Sequence, residues 1–392
     1  MQSGIKHSGI SQSVIKQSEM KRNAMKMSSI KPGSIRRMAA VLLPLFTLLC
    51  LIGALLTGCS GEAPAAAAAP GAPAPAPVSP GEEERLVIYT SHKEEVWWPI
   101  IKEFEARTGI WVQVETGGTN ELLSRIEEEK DSPVADVMFG GGVESLAACG
   151  DLFQPYKASG IEAVLPEYLS PESLYTPFSA LPIVMVRNNR LVEPDQLKAF
   201  SDLFRQEFRG RIAFADPQSS ASSYTALVTM QQALGEEDTD RFLESFAAQL
   251  DGKQLSSSGE VLTATAEGRF AVGVTLEETA LKQVSDGGAL SLVYPEDGTS
   301  AVPDGSAVVK NAPHAANARR FLDFTLDPDV QTLLPVRFSR RPVRTDIDEA
   351  ALSGGALPQL SALHILPYDT ERASGNRKAI LMSWAFYFGG EP

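Results

Sequence analysis

From residue 85 onward the apolar positions switch between two periods. "RLVIYT" (85–90) is a short run of β-forming residues, and "SHKEEVWWPIIKEFEARTG" behind it places Val96, Trp97, Ile100, Ile101 and Phe104 at helical spacing up to Gly109. Residues 110–114 predict a second strand, "NELLSRIEEEK" (120–130) a second helix, and "ADVMFGGG" (135–142) a third strand that runs into three glycines. Strand, helix, strand, helix, strand is the order of an α/β sheet. Ligands of such sheets sit beyond the carboxyl ends of the strands, so the loops 90–92 and 140–142 share a rim. That rim offers Ser91 and His92 beside Gly140, Gly141 and Gly142.

The alternation resumes after an extended "SALPIVMVRN" (179–188). "GRIAFADP" (210–217) predicts a strand, and "QSSASSYTALVTMQQALG" (218–235) a helix whose apolar face holds Tyr224, Leu227, Val228 and Leu234. Ser219, Ser220, Ala221, Ser222 and Ser223 therefore fall at a helix start, where unpaired N–H groups and the positive end of the macrodipole suit an anion such as phosphate. Plain N-capping would use one serine; four around one alanine favour the anion site. "GRFAVGVTLEETALKQVSDGG" (268–288) predicts a strand to residue 275 and a helix that opens with Glu277 and Glu278, acids that also complement the dipole. "LSLVYPEDGTSAVPDGSAVVKNAPH" (290–314) reads as extended and turn-rich and then apolar, and "HAANARRFLDFTLDPDVQTLL" (314–334) as two helices. Extended passages near 180–186 and 292–302 are the expected crossings between two lobes.

Ahead of residue 85 the pattern differs in kind. Residues 1–37 carry eight Lys/Arg against one acid, Glu19, and residues 38–56 are uncharged and mostly apolar. Basic and then apolar is the layout of an export signal. The apolar run is just long enough to span a bilayer, but "LTGC" (56–59) resembles the bacterial lipobox, in which cleavage ahead of Cys59 frees its thiol for acylation. The Ala/Pro repeat within 59–84 has too little apolar surface to offset its ordering entropy and reads as a tether. With Cys50 inside the signal and Cys59 acylated, Cys149 remains as a single thiol, which excludes an internal disulfide. The formal charge is −14 over the chain and −21 beyond residue 58, because the leader carries seven net positive charges. Such a surface is a poor partner for nucleic acid. Roughly 300 residues follow the tether, enough for two lobes with sizeable cores.

Catalytic signatures are missing: the chain has no Gly-x-Ser-x-Gly elbow, Walker loop, dinucleotide glycine fingerprint or His-Glu-x-x-His. Three histidines, His92, His314 and His364, follow residue 85 without a cysteine pair, which speaks against a zinc cluster. A membrane-tethered phosphoesterase, with His92 as base and a serine of 219–223 as nucleophile, is the competing reading from another class. It lacks a third, orienting group.

"VIYTSHKEE", "SPVADVMFGG", "FADPQSSASSYTAL" and "YPEDGTSAVPDGSAVVKNAPHAANARRFLDF", with the signal and its lipobox, resemble the extracellular solute-binding proteins of ABC transporters, and most of all their ferric-ion-binding-protein-like branch. The resemblance implies an α/β, two-lobed periplasmic-binding-protein type II fold, each lobe a mixed β-sheet flanked by helices, closing on a ligand through a two-strand hinge. The expected division is a signal peptide (1–58), a tether (59–84), lobe 1 from 85–183 and 302–345, and lobe 2 from 184–301 and 346–392. The resemblance also implies a monomeric transport protein rather than an enzyme, exported and anchored by lipid to the outer face of the cytoplasmic membrane. It would hand a small ligand to ABC-transporter permease subunits and need no cofactor.

Iron binders of that branch use a first-loop His, an acid after the third strand, two adjacent tyrosines and a phosphate at a helix start. His92 matches the first and residues 219–223 the last, with Ser258 near the family's other anion contact. Gly140, Gly141 and Gly142 stand where the acid would be, and "TLEET" (275–279) contains no tyrosine. Without phenolates hard Fe³⁺ loses its best protein ligands. Ferric iron with a synergistic anion, like thiamine or its phosphate, therefore ranks behind a small phosphorylated or phosphonated organic anion. Its phosphate would sit on Ser220, Ala221, Ser222 and Ser223, with Glu277 or Glu278 meeting a hydroxyl or amine and the N–H groups of Gly141 and Gly142 approaching closely. Ser91, His92, Thr299 and Ser300 complete the expected rim.

Overall fold

β1 (Arg85–Thr90), α1 (Glu94–Thr108), β2 (Trp111–Thr116), α2 (Thr119–Glu128) and β3 (Val137–Gly142) succeed one another as the periodicity predicts, with β1 parallel to both β2 and β3. Val96, Ile100, Ile101 and Phe104 form the buried stripe of α1, and the helix stops at Gly109, whose φ of 74° closes it in the left-handed conformation. This computed structural model describes residues 81–284 and 288–388. The export signal, Cys59 and all but the last few residues of the tether lie outside the described residues.

The remaining elements are α3 (Val143–Ala148), β4 (Thr176–Asn188), β5 (Ile212–Ala213), α4 (Ala221–Ala233), α5 (Thr239–Leu250), α6 (Gly259–Ala266), β6 (Val272–Leu276), α7 (Glu277–Leu281), β7 (Leu290–Val293), β8 (Ala301–Val308), α8 (Ala315–Thr325), α9 (Pro328–Leu333), β9 (Arg341–Pro342), α10 (Glu349–Leu352) and α11 (Thr370–Tyr387). The strands run in the hydrogen-bonded order β2-β1-β3-β8-β4-β6-β5, with β7 and β9 also on β4. β4 is the seam. Up to Pro182 it pairs antiparallel with β8, and from Ile183 onward with β6. Pro182 stands where the strand changes partners, and Pro177 where its register on β8 shifts, so two prolines fit a central strand that would otherwise lose ladder bonds.

Two apolar cores flank this seam. Leu86, Ile88, Phe104, Phe139, Phe178, Val308 and Phe321 belong to the first, and Ile183, Met185, Phe214, Tyr224, Phe246, Val272 and Trp384 to the second. Each fully buried large side chain contributes roughly 1.5–3 kcal/mol.

One crossing holds and other expectations change. The second crossing falls inside the expected passage, since β7 ends at Val293 on the second lobe's side of β4 and β8 starts at Ala301 on the first lobe's side. "PDG" inside β8 has the chemistry of a turn, yet pairing with β3 on one edge and β4 on the other holds it extended. The strand expected over 210–217 is ladder-paired only at Ile212 and Ala213. Residues 346–392, expected wholly in lobe 2, serve both cores: Leu360, Ile365 and Tyr368 pack on the first, Ile380 and Trp384 on the second.

Candidate functional site

Between the carboxyl ends of β1 and β3 and the start of α4 lies a cavity of about 200 Å³. Nine of the expected residues line it: Ser91, His92, Gly141, Gly142, Ser220, Ala221, Ser222, Ser258 and Glu278. The glycine run is needed. Gly140 and Gly141 have φ of 106° and 92°, and a Cβ on Gly140 would stand 2.7 Å from Ser91 Oγ.

At the start of α4, Ser220 is the N-cap, and its Oγ accepts from Ser223 N at 3.3 Å and from Ser223 Oγ at 3.0 Å, with Ser222 Oγ at 3.1 Å. One serine thus caps the helix. The N–H groups of Ala221 and Ser222, in the first turn, have no carbonyl one turn back to serve, and both residues line the cavity. Ser223 turns inward as part of the cap and does not line it.

His92 is buried against Phe139 and Phe178, with ring centroids 4.4 and 5.5 Å away. Its Nδ1 is 3.7 Å from Asp304 Oδ2, beyond hydrogen-bond reach, and its Nε2 has no hydrogen-bond partner among the described residues. Burial, reinforced by the charge of Arg340, pushes the imidazole pKa well below its ordinary value. The ring is neutral at physiological pH, with a free nitrogen in the site.

Asp304 and Arg340 were not singled out from the sequence, yet they form the cavity's charged floor. Arg340 Nη1 donates to Asp304 Oδ2 at 2.5 Å and to Ser179 Oγ at 3.0 Å, and Nη2 lies 3.6 Å from Glu278 Oε1. Ser179 also donates to Asp304 Oδ1 through its N–H and its hydroxyl. Burial raises the Asp304 pKa against the opposing pull of Arg340 and Ser179. For Glu278 burial also works against ionisation, but Arg340 and Lys282 overcome it and hold the carboxyl at about 2. Lys282 Nζ sits 2.7 Å from Glu278 Oε2 and 2.6 Å from Glu95 Oε1 on α1, spanning the cleft mouth.

The other expected residues serve elsewhere. Glu277 faces away from the cavity: its two oxygens accept from Arg341 Nε and Nη2 at 2.8 Å each, and Oε1 also from Tyr294. Thr299 Oγ1 donates to Ile183 O, and Ser300 Oγ bonds Thr229 Oγ1, so both hydroxyls are spent inside the fold. Asp304 is the orienting acid that a Ser-His-acid reading lacked. It is committed to Arg340 and Ser179, and among the described residues no serine hydroxyl bonds His92 Nε2. A larger cavity of about 610 Å³ behind β8 and β9 shares only Val302 and Pro303 with the site.

Residues 132–369 match the family model for "Bacterial extracellular solute-binding protein". The chain belongs to that family. As a member it is the solute-binding component of an importer. It is 28% identical over 282 residues to the iron uptake protein A1 of Synechocystis, covering 68% of this chain and 77% of that one. It is 27% identical over 294 residues to a probable ABC transporter periplasmic-binding protein of Sinorhizobium fredii, covering 72% and 80%. Among solved structures, the periplasmic binding protein AfuA of Actinobacillus pleuropneumoniae with fructose-6-phosphate bound superposes with a TM-score of 0.70 at 26% identity, covering 78% of this chain and 98% of that one. The α/β fold is that of the type II periplasmic-binding proteins.

Proposed function

We propose that this protein captures a small phosphorylated or phosphonated organic anion between its lobes and presents it to an ABC-transporter permease, acting as a monomer that binds rather than transforms its ligand. The carrying observation is the pairing of two things in one cavity: the first turn of α4 with its serines, and the buried His92 with a free Nε2. A phosphoryl group on the N–H groups of Ala221 and Ser222 meets donors and the positive end of a helix dipole. At about 200 Å³ the cavity is smaller than the ~300–1,000 Å³ typical of drug-sized ligands, which suits a compact molecule. AfuA, solved with a sugar phosphate, supports the class. The likeness to an iron uptake protein raises ferric iron as the other reading, but no tyrosine lines the cavity. Among the described residues no group of three or more His, Cys, Asp or Glu is placed to hold a metal. Export and a lipid anchor on Cys59 at the outer face of the cytoplasmic membrane complete the reading, carried by the leader's charge pattern and "LTGC".

Native mass spectrometry of the protein as purified would identify a retained ligand. Calorimetric titration with fructose 6-phosphate, 2-aminoethylphosphonate, phosphoglycerate and inorganic phosphate, repeated on Ser222→Asp and Ser222→Ala, tests where the anion sits. A charge-assisted hydrogen bond is worth roughly 1.5–3 kcal/mol. Ser222→Asp, which adds a like charge as well, is expected to lose on the order of a hundredfold in affinity, and Ser222→Ala about tenfold or less. Equal affinity in wild type and Ser222→Asp would refute the site.

A further inference from the structure

One buried acid lies just outside the cavity lining. Glu144 opens α3 on the first lobe and is fully buried. Its Oε1 is 2.5 Å from the hydroxyl of Thr225, which sits on α4 of the second lobe and lines the cavity. Its Oε2 has no hydrogen-bond partner among the described residues. Gly142 leaves the room for this carboxyl, since a Cβ there would stand 2.5 Å from Glu144 Oε1.

The hydrogen count at Thr225 allows a protonated Glu144. Thr225 Oγ1 lies 2.5 Å from Glu144 Oε1 and 3.2 Å from the carbonyl of Ala221 one turn earlier. A threonine hydroxyl has one hydrogen, and a carbonyl only accepts. That hydrogen goes either to Glu144 Oε1, which suits a carboxylate, or to the Ala221 carbonyl, in which case the hydrogen of the 2.5 Å bond comes from a protonated Glu144. The solvation cost favours the second arrangement, because an ionised Glu144 would bury a charged oxygen, Oε2, with no donor.

The neighbours leave this balance in place. α3 packs against α11, β8 and β3. From α11 comes Arg377, a cation that favours the ionised form; its Nη2 donates to Asn120 Oδ1 at 2.5 Å, the guanidinium lies 5.1 Å over the Tyr224 ring, and its Nε has no hydrogen-bond partner among the described residues. β8 brings Asp304, held by Arg340 and Ser179, and β3 brings no ionisable side chain. Tyr175, Tyr224 and Tyr368 also face the carboxyl, and burial keeps all three phenols neutral. Burial outweighs Arg377 and the Thr225 bond and raises the Glu144 pKa above the usual carboxyl range.

We propose that Glu144 is a proton-carrying latch between the lobes: a neutral acid bonded to Thr225 when the cleft is closed, ionised when opening returns it to water, so that ligand capture takes up one proton from solvent. Glu144 touches no ligand and acts through Thr225 as a positioning residue. The inference rests on capture between closing lobes and not on which ligand is captured. The pKa is higher closed than open, so closure is fully favoured below the open-form value. It weakens as pH rises towards the closed-form value, by up to about tenfold in affinity per pH unit, and then levels off.

Two measurements on the full chain test this. Infrared spectra at neutral pH are expected to gain, on saturation with fructose 6-phosphate or inorganic phosphate, the C=O stretch of a protonated carboxylic acid, which Glu144→Gln does not gain. Calorimetric titration with fructose 6-phosphate and with inorganic phosphate between pH 5 and 8 is expected to show wild-type affinity falling about tenfold or more relative to Glu144→Gln. The ratio of the two proteins cancels the ligand's own ionisation, and the amide of Glu144→Gln donates to Thr225 as the acid does. Parallel pH profiles, or a protonated-acid band unchanged in Glu144→Gln, would overturn the latch. If neither anion binds, the ligand reading fails, and spectra of the protein as purified, compared with the same protein stripped of retained ligand by unfolding and refolding, decide Glu144: a band lost on stripping supports the latch and unchanged spectra overturn it. If the variant does not fold, absence of the band in the ligand-saturated wild type is itself a refutation.

Discussion

Replacing Arg340 with methionine tests whether the cavity floor is one interdependent unit. The side chain of Arg340 is 7% exposed and that of Asp304 4%, so Arg340→Met leaves a carboxylate in the protein interior with only the two bonds from Ser179. Breaking a buried pair from one side costs about 3–5 kcal/mol, a fall in Tm on the order of 5–15 °C for a chain of this size. Glu278 suffers less, because Lys282 still holds it at 2.7 Å. The pH dependence has a definite sign. Asp304, already raised by burial, rises further without Arg340, and a carboxyl whose folded pKa is raised stabilises fully only below its unfolded value, near 3.9. The deficit of Arg340→Met against wild type therefore grows as pH rises and shrinks under acid. Loss of Arg340 also removes a repulsion that holds His92 neutral, so a protonated His92 facing Asp304 adds to the acid-side recovery. Urea unfolding followed by the fluorescence of the buried Trp384, at pH 5 and at pH 8, measures both effects. The double variant Arg340→Met/Asp304→Asn is expected to regain more than half of the loss. A single variant within 1 kcal/mol of wild type, or a double variant no better than the single, would refute the reasoning.

Given ferric citrate, the purified protein is expected to show no visible tyrosinate-to-iron charge-transfer band, since no tyrosine lines the cavity; a strong band revives the metal reading. Cys59→Ala is expected to leave the precursor unlipidated and uncleaved ahead of residue 59, and unchanged detergent partitioning of that variant would remove the lipobox from the argument.

What was legible in the sequence was what local chemistry writes there. A serine run before an apolar helical face announces a helix start, and consecutive glycines after a strand announce close approach; both proved to line one cavity with His92. Asp304 and Arg340 were hidden for a different reason. One sits in a "PDG" with turn chemistry and the other in a basic stretch that reads as surface, and only pairing of β8 and β9 on β4 brings them within 2.5 Å. Glu277 and Glu278 show the limit at its sharpest. Identical and adjacent, they turn to different arginines, Arg341 and Arg340, and which one meets the cavity depends on the turn from β6 into α7. Thr299 and Ser300 look like ligand hydroxyls until the acceptors that occupy them, far away in sequence, are known.

The insertion of β8 between β3 and β4 also sets an order of assembly. β3 cannot gain its antiparallel neighbour until some 160 residues have emerged after it, among them most of the second core. Closing a loop of that length costs on the order of 4–5 kcal/mol in chain entropy, unless the intervening segment has already collapsed and brought its ends together. A chain emerging from its amino end therefore holds β1, β2 and β3 as an open-edged sheet until β8 has emerged. The Val137 to Phe139 edge is the stretch that an export chaperone would have to shield during that wait.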